Sequence, residues 1–192
     1  SLADSLTVTP TGSASARIET QGLAPQVNTS NPGTLTVDGL AGNDTVTVAG
    51  TSASDAIAVV RGALTSTVTV NALKTVTLPT ATDEAVVVSS GLGNDTITVS
   101  GTGGLGLTVD GGLPSANDNL VINNATAGTT TVTPGATPDA GVVSSPAGTV
   151  SFVAIELVSI TAAAPTDTLI ALGTPGDDAR RHATRLRNDE AG

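Results

Sequence analysis

The 192-residue chain contains no cysteine, methionine, tryptophan or tyrosine, and its only aromatic residue is Phe152. Without cysteine the chain cannot form disulfides, zinc–thiolate centres or a thiol nucleophile. Aromatic side chains usually supply much of the buried area of a globular core. The interior must instead be filled by Val, Leu, Ile, Ala and Thr, which favours a narrow, layered core over a thick one.

Basic residues are also scarce, with 7 Lys and Arg against 17 Asp and Glu and a formal charge of −10. Because phosphate contacts need clustered Lys and Arg, this balance argues against a nucleic-acid partner. The apolar runs are all shorter than the roughly 20 residues of a membrane-spanning helix, so we expect no membrane insertion. An acidic surface favours solubility and the binding of cations.

Short segments in which β-branched residues alternate with polar ones dominate the chain. Gly, Asn, Asp, Ser or Pro separates nearly all of them, and their centres recur about every ten or eleven residues, a spacing typical of sandwiches, barrels and solenoids. No stretch before Ala179 shows a helical period. The clearest predicted strands are Leu35–Asp38, Thr45–Val48, Ile57–Val60, Thr67–Val70, Thr75–Leu78, Ala85–Val88, Thr96–Val99, Leu107–Val109, Leu120–Ile122 and Val150–Phe152.

Internal repeats distinguish between these architectures. The sequence Leu-Thr-Val-Asp-Gly at residues 35–39 recurs at 107–111, and Gly-Asn-Asp-Thr-Val/Ile-Thr-Val occurs at 42–48 and 93–99. Repeated strand-and-turn units without helices predict an all-β fold, a parallel β-solenoid of the β-helix or β-roll kind with short strands and Gly, Asn and Asp turns. Two related β-sandwich modules are the alternative.

We predict one repeat-built solenoid domain over residues 1–178, with a weak internal duplication that relates residues 4–48 to residues 118–160. The last residues, 179–192, form a basic tail or cap. A short helix from Asp178 to Asn188 would cover the open end of the solenoid, because an exposed terminal coil is prone to aggregation.

Two further stretches, residues 20–33 and 133–148, are rich in Pro, Gly, Asn and Ser. This composition predicts loops that protrude from the coil. A binding module that displays these loops to a partner is therefore one functional hypothesis.

The motif with chemical content lies at residues 39–46, which read G-x-x-G-x-D-x-U, where U is apolar. It resembles the nine-residue glycine- and aspartate-rich repeat of the RTX, or hemolysin-type calcium-binding, family. The resemblance implies that Gly39 and Gly42 form a turn and that Asp44 gives a carboxylate to Ca²⁺ where the turn becomes a strand.

Other copies of the motif match less well. Asp95 has a good match, Asp178 lacks the apolar residue that should follow, and Asp118 follows an insertion. Because the copies are not in tandem, a complete site requires distant turns to stack, and we group Asp95, Asp110 and Asp118 in one site. Each aspartate also fits a plain turn, since Asp side chains hydrogen-bond local backbone. The predicted calcium ligands are Asp38, Asp44, Asp95, Asp110, Asp118 and Asp178, and the turn glycines are Gly39, Gly42, Gly93 and Gly176.

Residues 34–178 also resemble very large bacterial surface proteins built from β-strand repeats, which carry many G-x-G-N-D-T-[IV]-T-V segments. This resemblance implies a bacterial, extracellular or cell-surface location. We predict a structural role as a scaffold, adhesin segment or fibre subunit. Exposed strands at each end of the solenoid offer a route to head-to-tail association into fibres or surface layers.

Catalytic groups are hard to find in the sequence. His182, the only histidine, lies in the basic tail, and Asp83-Glu84 is an acidic pair in a predicted loop. Adjacent loop carboxylates are poorly placed to flank a glycosidic bond, as sugar-cleaving enzymes require. We predict that the protein is not an enzyme, and a polysaccharide-acting β-helix enzyme is the remaining alternative.

Overall fold

The computed structural model describes residues 3–21, 26–40, 42–80, 85–103, 106–113 and 117–174. Within these ranges the protein is all-β, as predicted, with seventeen strands and no helix. The strands are β1 (Ser5–Gly12), β2 (Ser15–Thr20), β3 (Val27–Ser30), β4 (Leu35–Thr36), β5 (Thr45–Thr51), β6 (Ala56–Arg61), β7 (Thr65–Val70), β8 (Val76–Pro79), β9 (Ala85–Gly91), β10 (Thr96–Gly101), β11 (Gly106–Asp110), β12 (Asn119–Asn123), β13 (Thr129–Pro134), β14 (Gly141–Ser145), β15 (Gly148–Val153), β16 (Leu157–Thr161) and β17 (Thr168–Ala171).

The strands form two sheets, which we call sheet A and sheet B. Sheet A has ten strands in the order β17-β13-β14-β15-β11-β9-β5-β1-β2-β3. Sheet B has seven strands in the order β16-β12-β10-β6-β7-β8-β4. The two sheets face each other across a single core.

Four stacked coils form the centre of the molecule. Each coil is a strand of sheet A followed along the chain by a strand of sheet B, namely β5–β6, β9–β10, β11–β12 and β15–β16. Neighbouring coils pair in parallel in both sheets. The predicted parallel β-solenoid is therefore confirmed, and the alternative of two sandwich modules is wrong because one stack of parallel pairs runs from β5 to β16.

Alternate residues of the coil strands point between the sheets and form rows along the stack. In sheet B, Ile57, Ile97 and Leu120 are in register and at most 2% exposed. Burial of one such side chain contributes about 1.5–3 kcal/mol. The matching rows of sheet A are Val46, Val86, Leu107 and Val150, and Val48, Val88, Val109 and Phe152.

Antiparallel meanders extend the solenoid, and the sequence did not predict them. They are β1-β2-β3, β6-β7-β8 and β13-β14-β15. Asn71 lies between β7 and β8 with a φ of 51°, a conformation that Asn adopts more readily than most residues. Its Oδ1 accepts a 2.8 Å hydrogen bond from the amide of Ala56, which ties the turn to the start of β6.

The prediction of protruding loops at 20–33 and 133–148 is wrong in part. Val27–Ser30 is an edge strand of sheet A, and Gly141–Ser145 is an interior strand of the same sheet. Among the described Pro and Gly residues of these segments, Pro32, Gly33, Gly135, Pro138 and Pro146 lie between strands, and Pro134, Gly141 and Gly148 lie in β13, β14 and β15. Since hairpin turns and longer loops use the same residue types, composition did not distinguish them.

Several predictions fall outside the described residues. These are the domain end at residue 178, the tail 179–192 with His182, and the pair Asp83-Glu84. Among the residues that are described, none belongs to a helix long and apolar enough to cross a membrane.

Candidate functional site

An acidic residue stands directly before each sheet-B strand of the four coils. Asp55 precedes β6, Asp95 precedes β10, Asp118 precedes β12 and Glu156 precedes β16. The parallel register places these four residues one above another at the turn between the sheets. We call this set the carboxylate ladder.

Each rung of the carboxylate ladder is joined to the next by a side chain and by the backbone. The amide of Asp55 donates to Asp95 Oδ1, that of Asp95 to Asp118 Oδ1, and that of Asp118 to Glu156 Oε2, each at 2.7 Å. The backbone ladder continues through the same residues, because the carbonyl of Asp95 accepts from the amide of Asn119 at 2.8 Å. The carboxylates of Asp95, Asp118 and Glu156 thus each satisfy a backbone donor of the preceding coil. The carboxylate of Asp55, the first rung, accepts from Thr51 and Asn71 instead.

A similar contact occurs at the start of sheet-A strands. The amide of Asp4, before β1, donates to Asp44 Oδ1 at 2.7 Å, and Asp44 precedes β5. The carbonyls of both residues accept from the first amide of the next strand, Thr45 and Ala85, at 2.9 Å. Asp44 therefore has the same structural role as the ladder residues, but in the other sheet and apart from Asp95 and Asp118.

Three of these carboxylates are completely enclosed. Asp44, Asp95 and Asp118 are at most 1% exposed, and the Oδ2 atom of each has no hydrogen-bond partner among the described residues. Burial raises the pKa of Asp118. The negative charges of Asp95, Glu156 and Asp110 raise this pKa further, while the hydrogen bond from the Asp95 amide lowers it.

Glycines make room for the enclosed carboxylates. A Cβ atom on Gly39 would lie 2.7 Å from Asp44 Oδ2, and one on Gly111 would lie 2.8 Å from Asp118 Oδ2. Gly93 has a φ of 126°, which side chains disfavour, whereas Gly42 has an almost extended φ of 159°. Close packing on an aspartate therefore accounts for Gly39 of the motif, whereas a Cβ on Gly93 would meet the backbone of Ala53 and Ser54.

Two other predicted ligands serve their own turns. Asp38 Oδ1 accepts from the amide of Leu40 at 2.9 Å, and Asp110 Oδ1 accepts from the amide of Gly112 at 3.0 Å. Both contacts span two residues, the pattern by which Asp stabilises turns. The turn interpretation therefore accounts for Asp38 and Asp110.

The described residues do not assemble a calcium cage. Ca²⁺ takes six to eight oxygen ligands, and within the described ranges no three His, Cys, Asp or Glu side chains are grouped to hold a metal ion. Asp95 and Asp118 are joined by the hydrogen bond from the Asp95 amide, and the charge of Asp110 acts on the Asp118 carboxyl. One oxygen of each of the three is bound to a backbone amide. Calcium binding stays a prediction, and Asp178 and Gly176 lie outside the described residues.

The sequence did not single out Arg61, which is 3% exposed. It ends β6 on the inward row of Ile57 and Val59, and its Nη1 donates to the carbonyl of Thr149 at 3.2 Å. Burial lowers the pKa of Arg61. The only sequence signal was its position two residues after Val59 in the alternating pattern of the strand.

The sequence also did not predict Asp55 and Glu156 as site residues. Asp55 lacks the second glycine of the motif, and Glu156 has a longer side chain than the motif's aspartate. Their common signal is an acidic residue immediately before a β-strand of the coil.

Comparison with known proteins gives no relative for this chain: no family model matches it, and neither a curated protein nor a solved structure is significantly similar.

Proposed function

We propose that the chain is a non-catalytic structural module, a rigid β-solenoid segment of an extracellular or cell-surface scaffold, adhesin or fibre. The observation that supports this proposal is the unbroken carboxylate ladder from Asp55 through Asp95 and Asp118 to Glu156. It runs beside core rows that are equally continuous. Each stacked repeat adds to the stability of its neighbours, which suits an extended element that resists pulling.

The concave surfaces also favour a structural role over a polysaccharide-acting enzyme. A cavity of about 430 Å³ beside Arg61 is lined, among described residues, otherwise by Gly, Ala, Leu, Thr and Ser. A second cavity of about 510 Å³ has Asp110 as the one charged residue of its described lining. Glycoside hydrolysis usually requires a pair of carboxyl groups across the substrate, which neither described lining provides.

The alternative of a loop-displaying binding module receives less support. Much of the described part of residues 20–33 and 133–148 forms strands of sheet A, so these segments contribute to the sheet instead of projecting from it. Calcium stabilisation is a separate hypothesis. In Asp44, Asp95 and Asp118 one carboxylate oxygen binds a backbone amide, and the other has no partner among the described residues.

Single-molecule pulling tests the structural proposal. With the protein held by its two ends, we expect cooperative unfolding at high force and a lower force for Asp95→Ala, which removes the acceptor for the Asp55 amide. Asp38→Asn, which changes an exposed turn aspartate and keeps its acceptor oxygen, is the matched control and should leave the force unchanged. Extension at low force without a peak, or release of reducing ends from a polysaccharide by the purified protein, would contradict the proposal.

A further inference from the structure

The two ends of the solenoid differ in how the core is closed. Beyond the β5–β6 coil, sheet A continues with β1, β2 and β3, and sheet B continues with β7, β8 and β4. At this end the three added strands of sheet A therefore face the three added strands of sheet B. The core here is closed, since Val8 and Leu78 are both 0% exposed.

At the opposite end the sheets are unequal. Beyond the β15–β16 coil, sheet A continues with β14, β13 and β17, whereas the described part of sheet B ends at β16. Three strands of sheet A thus have no facing strand in the described residues. We call the inner face of β14, β13 and β17 the open shelf.

The exposure of the apolar core-facing side chains increases from β14 to β17 across the open shelf. Val143 on β14 pairs with Val132 on β13. Leu169 on β17 is on the same face as Val132, because it pairs with Thr130. Thr130 itself is 2% exposed and accepts a hydrogen bond from Asn124 Nδ2, so the open shelf is covered at this point. Along this row Val143 is 0% exposed, Val132 is half-buried and Leu169 is 60% exposed. The inward residues of β16, Val158 and Ile160, are also only half-buried.

We propose that a second copy of this chain covers the open shelf in a two-fold symmetric dimer. A two-fold axis parallel to the strands places the shelf of each copy over that of the other, about 10 Å away. Since sheet A exceeds sheet B by three strands, each shelf fills the gap in the partner's sheet B. The free edge of β16 then meets β17 of the partner, which continues both sheets across the interface.

The count of strands favours a second copy over the chain's own last residues. Residues 175–192 contain four Arg and one β-branched residue, Thr184, a composition poorly suited to three further apolar strands. The other end of the solenoid offers little for head-to-tail stacking, because β4 has two residues and β3 reads Val-Asn-Thr-Ser. The interaction is therefore a closed tail-to-tail dimer and not a fibre contact.

The expected dimer is weak. Three strands give a shelf only about 14 Å wide, which puts the interface at the low end for specific complexes. We expect a reversible, concentration-dependent dimer. The inference does not depend on the proposed scaffold role, since either could hold without the other.

Sedimentation of the full chain over a wide concentration range tests the dimer, with two substitutions on neighbouring residues of β17. Leu169→Glu puts a charge on the open shelf and should weaken dimerisation at least tenfold. Ile170→Glu is the matched control, because Ile170 is on the opposite face of the strand and 40% exposed, and it should dimerise like the native chain. Equal thermal melts of the two variants would show that both fold.

Spin labels test the geometry, because the chain has no native cysteine. The spacing of strands and sheets gives the expected distances between the labels of the two copies. Labels at Leu157→Cys should be about 20 Å apart, and labels at Asn28→Cys on β3 should be more than about 60 Å apart. A native chain that is monomeric at every concentration, growth of open filaments, or undiminished dimerisation of Leu169→Glu would each overturn the inference. A monomer that still resists pulling would leave the scaffold proposal standing.

Discussion

The backbone amide of Asp95 donates a 2.7 Å hydrogen bond to the carboxylate of Asp118 on the next coil, and neither residue is more than 1% exposed. A motif that resembles a calcium-binding repeat is used here to join coils directly. The aspartate stands directly before a strand, where its side chain reaches the equivalent amide of the neighbouring coil.

Removal of the Asp118 acceptor should destabilise the fold. In Asp118→Ala the Asp95 amide is left buried without an acceptor, which costs about 1–3 kcal/mol. Asp118→Asn keeps an acceptor oxygen and removes the buried charge, so its loss should be smaller. Urea denaturation measures both, with Asp38→Asn as an exposed control; equal losses for Asp118→Ala and Asp118→Asn would show that the hydrogen bond is not the stabilising contact.

The stability difference between the native chain and Asp118→Asn should depend on pH. Burial and the charges of Asp95, Glu156 and Asp110 raise the pKa of Asp118 above its ordinary value of 3.8. The folded state then binds this proton more tightly than the unfolded state. The resulting stabilisation is fully present below the unfolded pKa and is lost as pH rises through the folded pKa.

Urea midpoints of both proteins across this range should therefore show the native chain losing stability relative to Asp118→Asn as pH rises. The lowered pKa of Asp167, caused first by the hydrogen bond from the Gly128 amide, acts in the opposite direction but is common to both proteins. A difference that stays constant with pH, or that reverses in sign, would rule out a raised pKa.

A comparison of calcium with magnesium tests the calcium sites predicted from the sequence. The net charge of −10 predicts a small rise in melting temperature with any divalent cation, because screening reduces self-repulsion. If these sites bind calcium, the rise with calcium should exceed the rise with magnesium at the same concentration, measured by calorimetry after treatment with chelator. Equal shifts would contradict the predicted sites and leave only screening. A rise specific to calcium would favour the RTX-like interpretation and direct attention to residues such as Asp178.

Glycines that contact the aspartates should not tolerate alanine. Gly111→Ala would bring a Cβ to 2.8 Å from Asp118 Oδ2 and against the carbonyl of Ala154. Overpacking of this kind typically costs about 1–3 kcal/mol. Gly33→Ala is the matched control, since nothing lies within 4 Å of its added Cβ, and it should be neutral or slightly stabilising. Similar denaturation midpoints for the two variants would contradict the packing argument.

The sequence predicted strand positions and the parallel stack well, because both depend on local alternation and on repetition. Thr96–Val99 was predicted as a strand and lies within β10. Alternation does not encode whether the next strand crosses to the other sheet or turns back, so β6-β7-β8 was not foreseen as a meander. Asn71, which adopts a positive φ, was the local sequence sign of that turn. Asn also occurs in the turns that connect coils, so the residue type did not identify a meander.

The aspartates were located correctly as residues at the start of strands, but their partners could not be predicted. An Asp at a strand start can bind a cation, its own turn or the next coil, and the choice depends on which residues the stack brings within 3 Å. For Asp38, which follows β4, the partner is two residues away. For Asp95, which precedes β10, it is the amide of Asp55, 40 residues away. Only the coil lengths decide between these cases.

The in-register pairing of β5, β9 and β11 makes the length of this rod adjustable in fixed steps. Val46 pairs with Val86, which pairs with Leu107, and in the other sheet Ile57, Ile97 and Leu120 are related in the same way. Deletion of residues 85–105 would remove β9 from sheet A and β10 from sheet B, so that β8 leads directly into β11. It would leave β5 beside β11 and β6 beside β12, which are equivalent neighbours. A rod built in this way can gain or lose about 4.8 Å at a time while both of its ends stay the same.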